Sequence, residues 1–301
     1  MATVTLRPLG PFSLSESARF LEGFAPAGRD PALAAGPLRL AFPVEGSWTT
    51  AAVGVEQHPD GTVHADVTGE SSQELCAQLA RMLSLDVDGT GFAAVLDGDP
   101  VLAAVAATRP GLRPVGFHSP YEAACWAVIS QRVRIVQAAQ VRNRIVAAHG
   151  ERFELAGVPI SAFPAPAVLR SVAAELPLPE VKQQRLRGLA EAALDGLLDG
   201  SRLRALTAEE AIAEVTALPG IGPFSAELVV VRGAGHPDRF PAAEARLHAE
   251  MVHRYDPSDA GPATLAAVAE RWRPYRSWAA FQLRTAREAR TGEIVRGRRA
   301  D

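Results

Sequence analysis

The stretch that most limits how this chain can fold is Leu218-Pro219-Gly220-Ile221-Gly222-Pro223-Phe224-Ser225-Ala226. Helical periodicity runs up to it and resumes beyond it. The five residues from Pro219 to Pro223 must therefore reverse the chain between two helices, one over 207–217 and one over 223–233. Gly220 and Gly222 can take positive φ without steric cost. Ile221 between them can anchor the turn in a core, and Pro223 suits the first turn of the next helix. The first amides of that helix have no carbonyl behind them, and glycines leave an anion room to reach them.

The remainder divides at about residue 88. Segments 3–8, 38–43, 48–56 and 62–68 alternate apolar and polar residues, as half-buried strands do. His58-Pro59-Asp60-Gly61-Thr62 is a hairpin turn with Asp60-Gly61 at its tip. Segments 13–23 and 72–85 read as amphipathic helices, each opened by a serine. Residues 1–88 therefore form an α+β domain with an antiparallel sheet. Beyond residue 90 the reading is all-helical, with helices over 90–107, 119–149, 166–174, 179–198, 208–216, 223–232, 243–254, 262–271 and 277–290.

Charge narrows the partners. Residues 1–110 carry six Arg and no Lys against thirteen acids, a net −7, while the remainder is net +4. The last 31 residues hold nine Arg against three acids and include Val295-Arg296-Gly297-Arg298-Arg299-Ala300. A polyanion would meet the C-terminal two-thirds. Two distant cysteines, Cys76 and Cys125, cannot supply a Cys-ligated zinc or iron–sulfur site and suit a reducing compartment. No run of about 18 uncharged apolar residues is present, so no membrane span is expected. The N-terminus lacks a secretory pattern, and a cytoplasmic location is expected. Lys182 is the only lysine, so a Schiff base would need it or the terminal amine.

Leu218–Ala226 resembles the helix-hairpin-helix motif L-P-G-I-G-x-x-T/S-A, which binds DNA phosphates without reading sequence. Residues 109–133, RPGLRPVGFHSPYEAACWAVISQRV, and 269–284, AERWRPYRSWAAFQLR, resemble two further segments of one family. Nearly end to end, the chain resembles bacterial 3-methyladenine DNA glycosylase II, of the helix-hairpin-helix base-excision superfamily. The resemblance implies a TATA-binding-protein-like α+β domain over 1–88. It implies a helical domain built from 89–118 and 234–301, which carries the C-terminal basic segment. A second helical domain, 119–233, would hold the hairpin at 207–233. It also implies a monomer that binds double-stranded DNA with a damaged base. No cofactor is implied beyond a monovalent cation at the backbone of Thr216, Leu218 and Ile221.

The resemblance also assigns roles. Such enzymes flip the damaged nucleotide into a pocket and fill the gap with a wedge. Arg132, beside Gln131, stands at the wedge position. Gly220, Gly222, Ser225 and Ala226 would face phosphate. Phe224, Leu228 and Arg284 would line the base pocket. The superfamily's catalytic Asp is matched by Glu244, whose carboxylate would stabilise the cationic sugar of the transition state. Ala243 takes that place if the register slips by one, and Asp238 suits a capping role. No lysine lies near the hairpin, so a monofunctional enzyme that leaves an abasic site is expected, acting on an alkylated purine. The alternative is a non-enzymatic DNA-binding relative of the same fold, given Glu at the Asp position and non-aromatic residues at pocket positions.

Overall fold

The computed structural model describes residues 2–24, 36–68 and 72–292. The basic segment 295–300 lies outside the described residues. The N-terminal region comprises β1 (Ala2–Leu6), α1 (Leu14–Gly23), β2 (Leu38–Pro43), β3 (Thr50–Gln57), β4 (Val63–Thr68) and α2 (Gln73–Met82). The strands form one antiparallel sheet in the order β1-β4-β3-β2, with Val4 opposite Ala65 and Val53 opposite both Leu40 and Val67. Val63, Ala65 and Val67 are buried while Asp66 is exposed, as the period-2 pattern requires. Ser13 and Ser72 cap α1 and α2 by accepting from the Glu16 and Leu75 amides. The 58–62 turn closes through His58 N–H to the Thr62 carbonyl, with the Asp60 side chain accepting from Thr62.

Then follow α3 (Phe92–Asp97), α4 (Pro100–Ala106), α5 (Pro120–Ser130), α6 (Ile135–His149), β5 (Arg152–Leu155), β6 (Val158–Ser161), α7 (Pro166–Val172) and α8 (Glu180–Leu194). The chain continues through α9 (Gly200–Ala205), α10 (Ala208–Thr216), α11 (Pro223–Leu228), α12 (Ala245–Tyr255), α13 (Pro262–Glu270) and α14 (Arg276–Thr291). No helix among the described residues is long and apolar enough to cross a membrane.

The second region is therefore not purely helical. β5 and β6 pair antiparallel across Ala156 and Gly157, both at positive φ. Four-residue strands are too short to display a period, which is why a reading by periodicity passes over them. Tertiary packing supplies their stability. Phe153, Ile160 and Ala162 pack on Ala41 and Ala52, on the sheet face opposite Val53 and Val55. Two helices expected to be continuous are also broken. Segment 119–149 interrupts at Gln131–Arg134, where Arg132 takes φ +57. Segment 90–107 interrupts at Asp99, whose carboxylate caps α4 and accepts from Tyr255 and Trp272 at 2.9 Å each.

Beside the small cluster under β5 and β6, three larger apolar clusters organise these elements. The sheet, α1 and α2 form one. A second surrounds α5, which is buried from Pro120 to Ile129, as befits a helix apolar on every side. The third joins α3 and α4 to α12–α14 around Trp272 and Trp278. The hairpin α10–α11 belongs to the second cluster and the helix α12 to the third, so residues 234–244 carry the chain between them.

Candidate active site

Thr207 opens α10 with a reciprocal cap, its hydroxyl accepting from the Glu210 amide while Glu210 accepts from the Thr207 amide. After α10 the turn closes through Ile221 N–H to the Leu218 carbonyl at 3.1 Å, with Ile221 buried beneath it. Gly220 takes φ +80. Gly222 does not: its φ of −97 and ψ of 177 are extended, because it serves as the N-cap of α11. Its lack of a side chain matters for space, since a Cβ there would meet nothing within 4 Å and would project outward. Pro223 has no N–H, and Phe224 and Ser225 precede the first in-helix carbonyl partner. Ala226, expected to offer its amide too, is buried and bonds the Gly222 carbonyl at 2.9 Å. Phe224 is 50% exposed, so it is not a core residue. Leu228, one turn on, packs partly against the α5 cluster.

The α5–α6 loop is fixed to this hairpin. Lys182 on α8 donates to the carbonyls of Ile129 and Gln131 at 2.8 Å each. Gln131 donates to the Gly220 carbonyl at 2.6 Å and accepts from Arg185 at 2.8 Å. Gln131, expected to face DNA, is thus a brace between loop and hairpin. Arg132 and Val133 beside it are exposed.

Beyond Leu228 the helix widens into a π-turn, Val229–Gly233. From it Arg232 reaches the Val115 carbonyl at 3.1 Å through Nε. Its guanidinium lies 5.0–5.3 Å from the ring centres of Phe20, Phe24 and Phe281. Burial, reinforced by Arg284, pushes the Arg232 pKa down to about 9, with Glu244 pulling the other way.

Glu244 is the N-cap of α12. Its Oε1 accepts from the Arg246 amide at 3.1 Å and lies 3.6 Å from Arg284 Nε on α14. Both side chains are about one-fifth exposed. The positive end of α12 and the Arg284 guanidinium therefore face one carboxylate. The turn that delivers Glu244 is held from α11. Glu227, buried, accepts from Arg239 at 2.8 Å and from the amides of Ala242 and Ala243 at 3.3 and 3.1 Å. Asp238 instead receives Arg273 and Arg276, each at 2.8 Å, at the start of α14. The structure thus joins Glu244 to Arg284 directly and to the helix of Phe224 and Leu228 through Glu227. Arg132 is exposed beside Gln131, which bonds the Gly220 carbonyl at the hairpin turn.

Glu227 and Arg232 were not picked out by sequence reasoning. They are the two charges in the otherwise apolar run Ala226–Gly233, which marks them as unusual without showing what they meet. Among the described residues no group of three or more His, Cys, Asp or Glu is placed to hold a metal. Any ion at the turn would rely on neutral carbonyls, of which that of Leu218 already accepts the Ile221 amide.

No family model matches the chain. A Mycobacterium tuberculosis protein, named as a probable bifunctional transcriptional activator/DNA repair enzyme AlkA, is 32% identical over 220 residues, covering 70% of this chain and 42% of that protein. The chain thus spans less than half the length of that relative. A Bacillus subtilis DNA-3-methyladenine glycosylase is 25% identical over 216 residues, 70% of this chain and 71% of that one. Among solved structures, a 3-methyladenine DNA glycosylase from Archaeoglobus fulgidus superposes with a TM-score of 0.77 at 21% identity, over 96% of this chain and 99% of that one, which establishes the shared fold. In sequence the chain is similar to DNA-3-methyladenine glycosylases, and its fold is that of the Archaeoglobus fulgidus enzyme.

Proposed function

We propose that this protein is a monofunctional DNA glycosylase of base excision repair. It flips a damaged, alkylated purine from the duplex and hydrolyses its N-glycosidic bond. The C1′–N bond breaks and its electron pair leaves with the base. Water oxygen then bonds to C1′, and its proton passes to solvent or to the departed base. Glu244 faces the cationic sugar and stabilises it, or accepts the proton of the attacking water. The observation that carries this reading is the placement of Glu244. A turn pinned to the hairpin helix by Glu227 delivers it, so one rigid unit orients both phosphate-facing amides and acid.

In this reading Gly222, Phe224 and Ser225 present amides to a phosphate. Arg132 fills the space left by the flipped base, with Gln131 and Lys182 holding its loop. Phe224, Leu228 and Arg284 border the base. Carbonyls of Thr216, Leu218 and Ile221 would hold a monovalent cation that bridges turn and phosphate. No Schiff-base lyase step is proposed, because the ammonium of Lys182 is committed to two backbone carbonyls under the loop. The protein works as a cytoplasmic monomer on chromosomal duplex. Its division is 1–88, with a sheet of the TATA-binding-protein kind, 89–118 with 234–301, and 119–233.

The test is incubation with duplexes that each carry one lesion from a panel, followed by alkali. Strand scission at the lesion only after alkali supports hydrolysis without lyase action. Scission without alkali indicates a lyase.

A further inference from the structure

The chain leaves α5 through a strained turn. Ser130–Val133 closes through Val133 N–H to the Ser130 carbonyl at 3.4 Å, with Gln131 at φ −57 and ψ 125 and Arg132 at φ +57. These angles fit a type II turn, whose third residue is ordinarily Gly or Asn. Arg132 takes that left-handed place, and strain of this kind gathers at functional sites. The turn is also braced. Lys182 holds the Ile129 and Gln131 carbonyls, and Gln131 holds the hairpin tip. The next two residues, Arg132 and Val133, are left exposed.

Val133 is 43% exposed, and Val136 in the first turn of α6 is 49% exposed. The residue before a helix cap often packs on the fourth helical residue. Here that residue is Ala138, small and already buried, and Val133 stays in the open. The charge around the two valines is of one sign. From Ala123 to Gly150 the chain has four arginines and no acid. Among the described helices of ten or more residues, α6 alone has no Asp or Glu. Arg132 and Arg134, on either side of Val133, are exposed and pair with no carboxylate among the described residues. An apolar side chain between two unpaired guanidinium groups suits nucleic acid, whose phosphates are anionic and whose base faces are apolar.

We infer that Val133 packs on the base left unpaired on the complementary strand when the lesion flips out, with Arg134 at a phosphate of that strand. The inference rests on the glycosylase reading, in which Arg132 fills the vacated place. A side chain inserted between base steps kinks the duplex and partly unstacks its neighbours. A ring face opposite the wedge is then exposed to water. Arg132 and Val133 are consecutive, so the turn that brings one into the gap brings the other to its border. The valine side chain is stiff at χ1 and has no hydrogen-bonding atom. It therefore covers the ring face, favours the kinked duplex and does not read which base it meets.

Binding to two duplexes tests this. In both, a tetrahydrofuran abasic analogue stands in for the lesion nucleotide. In one it faces cytosine; in the other it faces a second tetrahydrofuran, which removes the partner base. Val133→Ala should weaken binding to the first about tenfold, the order for two carbon atoms withdrawn from an apolar contact, and leave binding to the second within about twofold. Val133→Ile keeps the branched shape and should bind both as the native chain does. Arg134→Ala should weaken both alike and lower the salt slope by about 0.9, and an unchanged slope would deny it the phosphate. Equal weakening of the two duplexes by Val133→Ala, or weakening of neither, overturns the inference while the glycosylase reading stands. If the native chain binds neither duplex and releases no base from one carrying N7-methylguanine, that reading falls with the inference.

Discussion

The side-chain amide of Gln131 donates to the backbone carbonyl of Gly220 at 2.6 Å, joining the loop after α5 to the tip of the hairpin. Arg185 completes the joint from α8, and Lys182 holds the loop backbone from below. The two surfaces proposed to meet DNA are thus one mechanical unit. Gln131→Ala should loosen it, leaving the Gly220 carbonyl and the Arg185 guanidinium without this partner. The loss expected is about 1–2 kcal/mol in unfolding free energy, the usual range for a side-chain hydrogen bond whose partners are left behind. Chemical denaturation measures it, and an unchanged midpoint would show that the brace is dispensable.

Gly222→Val should weaken binding to every duplex alike. A Cβ at 222 points into open space, so the substitution is tolerated by the fold and blocks only what approaches from outside. Binding titrated against salt should show a slope lower by about 0.9 for each phosphate that the variant no longer neutralises. Weakening confined to one lesion would contradict a phosphate role.

Glu227→Gln should separate positioning from chemistry. The carboxylate draws Arg239 and two amides onto the turn before Glu244. Gln retains one acceptor and loses the charge, which leaves Arg239 with Glu209 alone. Excision should fall while binding to an abasic duplex stays within about twofold, since the amides proposed to face phosphate are untouched and geometry governs the reactive step. Equal loss of both would make Glu227 a residue of general stability.

Acid should weaken the fold through Glu122. Burial alone would raise its pKa, but His118 and Arg142 more than offset that and hold it below the usual value of 4.5. A lowered native pKa contributes stability that is present above pH 4.5 and is lost as pH falls through the native value. Glu122→Gln should cost about 3 kcal/mol at pH 7, as breaking a buried pair does, and should flatten the acid limb of the stability curve. An acid limb of native steepness in the variant would assign it to other groups.

Much of this architecture was legible in the chain. Alternation in β2, β3 and β4 located the sheet, serines located the starts of α1 and α2, and Pro223 located the start of α11. What escaped depends on contacts between distant segments. The β5–β6 hairpin exists because Phe153 and Ile160 find Ala41 and Ala52, a meeting that no local period encodes. Gly222 looked like a second positive-φ glycine, yet its place as N-cap demands extended backbone instead. At the site, Glu244 was visible by its match to the superfamily acid and Arg284 by its match to a pocket position. Their pairing was not, because they lie far apart in the chain and only the packing of α12 on α14 brings them together. Arg232 escaped because a lone arginine in an apolar run gives no sign of the three phenyl rings that receive it.

The proposed activity turns on one carboxylate, and Glu244→Gln tests it most directly. The measurement is single-turnover excision on whichever lesion duplex the native chain cleaves fastest, with duplex affinity determined in parallel. Removal of the charge at the head of α12 should slow base release by about 10²–10³-fold, the loss typical when a preorganised charge or donor is deleted, and leave affinity for the duplex nearly unchanged. A Gln variant that releases base at the native rate would contradict the account, because the acid facing the sugar would then lie elsewhere.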